Sequence, residues 1–270
     1  MKHLAVTLFL IVWSVQLQSQ TPPSVSPIFS VGEELDYAVR WKFLRLGTIT
    51  IRTLSDSSSP HDERVRVVMR VESSPHIPFI FLWEYNEAVM DAIRLRSLRY
   101  SAIHVLNEKE KRLHHTFHDQ EHTVTTECLD VSTQEVERHT VHDVDWYVEG
   151  TSLFFLARDA ARHGATVIAP TVVAGSVSDT RLQYAQTTEN ISIDAWDHPV
   201  CVRRFSGEAG WTGATAAGMS GEFTGWVSAD EASVVLRAEV TISLGSITIE
   251  LEKWNRKDWT PPSGKREPSS

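Results

Sequence analysis

Seven of the chain's twelve histidines fall between positions 104 and 142, the densest run of metal-ligating or proton-carrying side chains in the sequence. A zinc site takes three or four protein ligands. Along a strand, residues four apart are separated by about 13 Å, so His114, His118 and His122 cannot share an ion from one straight strand. A turn over Asp119–Glu121 would bring His118 opposite His122, which makes two ligands and not three. The segment is otherwise polar, and a solvated hairpin carrying no metal is expected. Asp143 and Asp145 stand two apart beside Trp146 and Tyr147. On a strand they would share a face about 6–7 Å apart, a separation comparable to that of glycosidase acid pairs. With Glu84 or Asp230 they are the candidate acids of a glycan-acting enzyme, if two converge from different strands. Gly218-Met-Ser220-Gly221 lacks the Gly-x-Ser-x-Gly spacing of a nucleophile elbow. Neither a dinucleotide fingerprint nor a Walker sequence occurs. The sequence therefore designates no catalytic residue and no cofactor.

Aromatic residues are the stronger signal. Eight of the nine tryptophans lie beyond residue 20, and tryptophan supplies both core volume and stacking surface. Ile77-Pro-Phe79-Ile-Phe81-Leu-Trp83-Glu-Tyr85 is the densest aromatic cluster. Ordinary core filling is one use for it; a gate to an apolar cavity, or a tip that meets a membrane, is another. Tyr37, Trp41, Phe81, Trp83 and Trp226 are the candidate ligand-binding residues. Two cysteines, Cys128 and Cys201, could close a loop of about 73 residues worth about 4 kcal/mol, or remain two separate thiols.

The elements that must position these residues read as strands almost throughout. Leu35, Tyr37, Val39, Trp41 and Phe43 alternate with polar residues, the period of a half-buried strand, and Leu46–Arg52 follows as a hairpin arm. Val65–Val71 alternates in the same way. Further strands are expected at 84–94, 97–107, 111–118, 122–130, 166–173, 180–187, 190–195, 199–206, 222–228, 232–244 and 247–254. The six glycines of 207–225 around Trp211 suggest a long connection. A single helix is expected over 152–163, capped by Thr151 or Ser152 and stopped by Gly164. The expected fold is all-β: an antiparallel meander curled into an open barrel or half-barrel with one packed helix. A two-sheet β-sandwich is the alternative.

The basic start at Lys2, the apolar run Leu4–Val15 and the polar exit to Gln20 form the three parts of a signal peptide. The run is too short for a bilayer core, which needs about 20 residues. The chain divides into a signal peptide at 1–20, a disordered proline-rich leader at 21–28, a single β-rich domain at 29–259 and a disordered tail at 260–270. An exported protein, periplasmic or secreted, is expected. The formal charge of −9 argues against a nucleic-acid partner, and no later apolar run suggests a transmembrane span.

Phe29-Ser-Val-Gly32-Glu33-Glu-Leu35-Asp-Tyr37 through Trp41 to Gly47 resembles the opening of an exported bacterial family, domain of unknown function 3108. Gly221-Glu-Phe-Thr-Gly-Trp226-Val-Ser-Ala-Asp230, with Leu236 to Leu251, resembles its end. Val234-Val235 departs from the proline expected there. The resemblance implies a β-rich secreted or periplasmic protein and carries no activity or catalytic residues. The expected function is non-enzymatic binding of a hydrophobic or envelope-derived ligand, such as a lipid. A structural or interaction module with a cell-envelope protein partner is the alternative, and a carboxylate-pair glycan enzyme the third.

Overall fold

The structure is a computed structural model that describes residues 25–56, 63–78, 80–173, 175–210, 221–242 and 245–264. Residues 1–20, expected as a signal peptide, and Phe79, Trp211 and Ser220 lie outside the described residues.

Fourteen antiparallel strands form one curled sheet that does not close, in the order β8-β7-β6-β5-β4-β3-β2-β1-β14-β13-β12-β11-β10-β9. They are β1 (Glu34–Trp41), β2 (Leu44–Ser55), β3 (Arg64–Ser73), β4 (Leu82–Asp91), β5 (Arg96–Leu106), β6 (Lys109–His118) and β7 (Thr123–Asp130). After them come β8 (Glu135–Val141), helix α1 (Gly150–His163), β9 (Val167–Val173), β10 (Ser176–Ile193) and β11 (Trp196–Ala209). β12 (Glu222–Ser228), β13 (Val235–Ile242) and β14 (Gly245–Asn255) complete the chain. Two meanders thus run outward from the β1–β14 pair. The expected open half-barrel with a packed helix is the observed fold.

Several local expectations need correction. β8 reads Glu-Val-Glu-Arg-His-Thr-Val and is exposed along nearly its whole length, so it has no buried face for alternation to reveal. The stretch read as two strands, 180–187 and 190–195, is the single strand β10, whose register with β11 shifts between Tyr184 and Thr188. The proline-rich leader is not loose at its end: Ile28 is fully buried in the core. The expected tail is likewise held at its start. Cys201 and Gly264 backbone amides donate to the carbonyls of Pro262 and Pro199, which lays 262–264 along β11. Cys128 on β7 and Cys201 on β11 are free thiols in opposite halves of the sheet, so no disulfide joins them.

Helix α1 plugs one end of the curl. Its cap is Glu149, not Thr151 or Ser152: the carboxylate accepts from the Thr151 and Ser152 amides at 2.6 and 3.0 Å, and Ser152 Oγ accepts from the Glu149 amide. This is a capping box with acid and hydroxyl exchanged. Ser97 Oγ also donates to Glu149. Burial outweighs these bonds and raises the Glu149 carboxyl above its ordinary range. Gly164 ends the helix in the left-handed region at φ 62°.

One buried ion pair fastens the plug. Arg158, on the helix, is fully buried and donates two bonds to Glu33 at 2.8 and 3.0 Å. It also donates to the Ala232 and Ser233 carbonyls. Arg256 donates to the same Glu33 Oε1 at 2.7 Å and also to the Pro27 and Ile28 carbonyls. Burial pushes the Glu33 carboxyl up, but the attraction and hydrogen bonds of Arg158 and then Arg256 prevail and hold it below the usual range. The stability this pair contributes is present at neutral pH and is lost as pH falls through that lowered value. Removing one partner strands a buried charge. Arg158→Met should lower the unfolding free energy by about 3–5 kcal/mol in urea titration, and Glu33→Gln should lose the acid-side dependence. Equal stability of wild type and Arg158→Met would contradict this role.

Candidate functional site

Cross-strand partners face the same side of a sheet, so the register sorts the concave wall into levels. Nearest the helix, one level runs Thr53, Val67, Ala88, Tyr100, His115 and Thr126, all buried. The next is Leu35, Ile51, Met69, Asn86, Ala102, Leu113 and Cys128. Farther out stand Tyr37, Ile49, Val71, Glu84, His104 and Lys111. The core therefore lies at the plugged end. At the open end the inward side chains Val39, Ile49, Val71, Val240, Ile247 and Ile249 are half-buried, a trough that the helix does not fill.

Two glycines shape the trough's far wall. Phe205 faces Gly225, and Phe223 faces Gly207, as direct cross-strand partners. A Cβ on Gly225 would lie 2.2 Å from the Phe205 ring, and one on Gly207 2.0 Å from the Phe223 ring. Each ring lies over the bare backbone of its partner, and the two rings meet edge to face at 6.2 Å.

The five residues singled out from the sequence do not line one cavity. Tyr37 points inward but is packed in the core, donating to the Val235 carbonyl and meeting the edge of Phe154. Trp41, the partner of Ile247, is half-buried at the trough's mouth. Trp83 faces outward, because its neighbours Glu84 and Leu82 take the inward positions; it stacks on Tyr85 at 6.4 Å. Trp226, beside Arg204 and Arg237, is also on the outer face, with Nε1 donating to Glu189. Phe81 is 57% exposed at a loop tip. The alternating apolar run 79-81-83-85 suggested an inward face, whereas 84-86-88-90 is the inward set.

The candidate acids disperse. Asp143 and Asp145 lie in the connection between β8 and α1, not on a strand. Asp145 is largely exposed and pairs with His122 at 2.8 Å. Asp230 is spent within the β12–β13 turn, accepting from Ser228, the Ser233 amide and Trp259. Glu84 is on the concave wall. No two of the four converge in a cleft. His118 ends β6 and pairs in register with Thr123, leaving His122 in the turn with φ 51°. Among the described residues no group of three histidines, cysteines or acids is placed to hold a metal ion.

Sequence reasoning passed over a polar cluster on the β4–β6 wall. Asn86, 4% exposed, accepts from Tyr100 Oη at 2.6 Å, and its Oδ1 lies 3.3 Å from His104 Nε2. Below it, His115 is 2% exposed and neither ring nitrogen has a hydrogen-bond partner; the Tyr147 hydroxyl is equally unmatched. Only the strand's inward parity marks these residues in the sequence.

A helix-plugged, open, curled antiparallel sheet places the chain among β-barrel-like proteins. A solved structure with this fold is the beta-barrel-like protein of domain of unknown function DUF1849 from Brucella abortus. It matches with TM-score 0.58 at 11% identity, over 87% of this chain and 100% of that one. The chain belongs to DUF3108, a family of proteins of unknown function, which it matches over residues 36–252. Weaker matches are a candidate exported protein with a YmcC-like fold from Bacteroides fragilis and a candidate lipoprotein from Parabacteroides distasonis. Their identities are 10% and 6% and their TM-scores 0.30 and 0.25; they cover 84% and 86% of this chain, and 96% and 100% of their own. No curated protein matches the chain.

Burial, then the neighbouring His114 and His104, pushes the His115 pKa from 6.5 down to about 4. A histidine kept neutral this way contributes full stability above its unfolded pKa and loses it as pH falls toward the folded value. The loss is on the order of 3 kcal/mol between those limits. His115→Phe should therefore raise the melting temperature at pH 5 and change it little at pH 8. An unchanged acid sensitivity would refute the assignment.

Proposed function

We propose that this protein is an exported, non-enzymatic carrier that holds a hydrophobic ligand in the open end of its curled sheet. The observation that carries the reading is the row of half-buried aliphatic side chains Val39, Val71, Val240 and Ile247 facing inward outside the packed core cluster. An apolar surface on a concave wall is what a lipid chain covers: each methylene removed from water contributes about 0.8 kcal/mol. The proposed export rests on the basic, apolar and polar order of residues 1–20. No helix among the described residues is long and apolar enough to cross a membrane.

A second reading, a module that docks on a cell-envelope partner, is favoured by the rim of the same opening. Phe43 is 94% exposed at the β1–β2 tip, Ile80 and Phe81 are exposed before β4, and Leu106 ends β5. The Phe81 amide donates to Asn107 Oδ1 and the Asn107 amide to the Phe81 carbonyl, so two of these tips form one apolar edge.

Trp41 distinguishes the readings. A brominated, uncharged monoacylglycerol should quench the fluorescence of Trp41 at the trough's mouth. Trp41→Phe should abolish most of the saturable quenching, while Trp83→Phe and Trp226→Phe, altered on the outer face, should retain it. Saturable quenching lost only in Phe43→Ser and Phe81→Ser would favour the docking module, and none at all would exclude the carrier.

A further inference from the structure

Along a single level of the concave wall the chemistry changes sign. From β1 to β3 the partners are Tyr37, Ile49 and Val71; on β4, β5 and β6 they become Glu84, His104 and Lys111. Lys111 is exposed and Glu84 and His104 are half-buried, so these groups meet water in the free protein and are open to a ligand on the same face of the sheet. Among the described residues neither Glu84 nor Lys111 makes a side-chain hydrogen bond or a close ion pair, although Lys111 stands opposite Asp130 and its charge helps to hold that carboxyl below the usual range. The next ladder position, Asp130, is already engaged: it accepts from the Ser132 hydroxyl and the Ser132 and Thr133 amides in its own turn. His104 is oriented from below. Asn86 Oδ1 can only accept, so the 3.3 Å contact puts the proton on His104 Nε2 and leaves Nδ1 as an acceptor in the neutral ring.

Resting on the carrier reading, we propose that Glu84, His104 and Lys111 form a head-group site for a zwitterionic amphiphile whose chain lies in the adjoining trough. Neighbouring strands are about 4.8 Å apart, so Glu84 and Lys111 flank His104 across roughly 10 Å. Lys111 meets an anionic oxygen of the phosphate-ester type. Glu84, with His104 Nδ1 beside it, accepts from an ammonium group. The buried Tyr100–Asn86–His104 chain is the fixed part of the site, held at its lower end in the closely packed core. The Val71–Glu84 pairing is the boundary at which chain gives way to head group. A plain fatty acid satisfies Lys111 and leaves Glu84 facing a carboxylate, so the mixed charge selects against it.

Calorimetric titration of the purified mature protein with four compounds tests this. They are palmitoyl lysophosphatidylethanolamine, palmitate, uncharged monopalmitin, and glycerophosphoethanolamine, which has the head group and no chain. Charged hydrogen bonds of ordinary strength predict that the lysophospholipid binds about tenfold or more tightly than monopalmitin and palmitate, with no measurable binding of the chainless head group. Lys111→Gln and Glu84→Gln should each bring the lysophospholipid down to the level of monopalmitin while leaving monopalmitin itself unchanged. Equal affinity of wild type for all three chain-bearing compounds would overturn the head-group site and leave the carrier reading standing, as would variants that weaken all three alike. Tight binding of glycerophosphoethanolamine alone would overturn the amphiphile. Failure of every compound to bind would remove the carrier reading, and this site with it.

Discussion

The Arg158–Glu33 pair decides what the rest of this molecule can be. It joins the helix to the segment before β1, to the β12–β13 turn and, through Arg256, to the chain leaving β14. The first and last of these flank the β1–β14 pair, where the two meanders meet. Hydrophobic contacts would suffice to bury a helix. The paired charges add direction, because an arginine and a carboxylate taken out of water are tolerated only in the geometry that satisfies both. The helix is thus committed to one end of the curl, and toward the other end the inward aliphatic residues Val39, Val71, Val240 and Ile247 are only half-buried, outside the packed core.

The division of the wall follows from that placement. Where α1 reaches, the inward positions are small or aliphatic and close-packed, as with Ala88 facing Val67. Beyond it the same strands change character: Val71 adjoins Glu84, and His104 adjoins Lys111. Polar groups stand there because water or a ligand, not protein, covers them. The buried, unmatched His115 and Tyr147 are the exceptions at the plugged end, polar groups enclosed without a partner.

Much of the architecture was legible in the sequence, because period-two alternation is strong wherever one face of a strand is buried. Leu35 to Trp41 and Val65 to Val71 are plain examples. It failed where burial failed: β8, an edge strand of charged residues, offers no pattern. It also misled at β4. There the larger apolar residues, Trp83 and Tyr85, stack on the outside, while Asn86 and Glu84 turn inward. Alternation gives the period of a strand but not which phase faces the core, and bulky aromatic residues are a poor guide to phase when the interior is partly polar. The candidate site was hidden for this reason. Glu149 was missed as a cap because its box exchanges the customary acid and hydroxyl, and Ile28 because the prolines just before it suggested chain with nothing to bury.

The seam between the sheet's two ends has a mechanical consequence. β8 and β9 share no ladder. They are held by side-chain packing of Val124, Val144, Tyr147 and Val172 and by the Val148 strand bridge to Thr171, with the β9–β10 tip resting on His139. In a continuous barrel the circumference is fixed by strand number and stagger, and widening it means breaking backbone bonds. Here the girth is set by side-chain contacts and the two backbone bonds at Val148, so the wall can widen along this seam while every strand ladder stays intact.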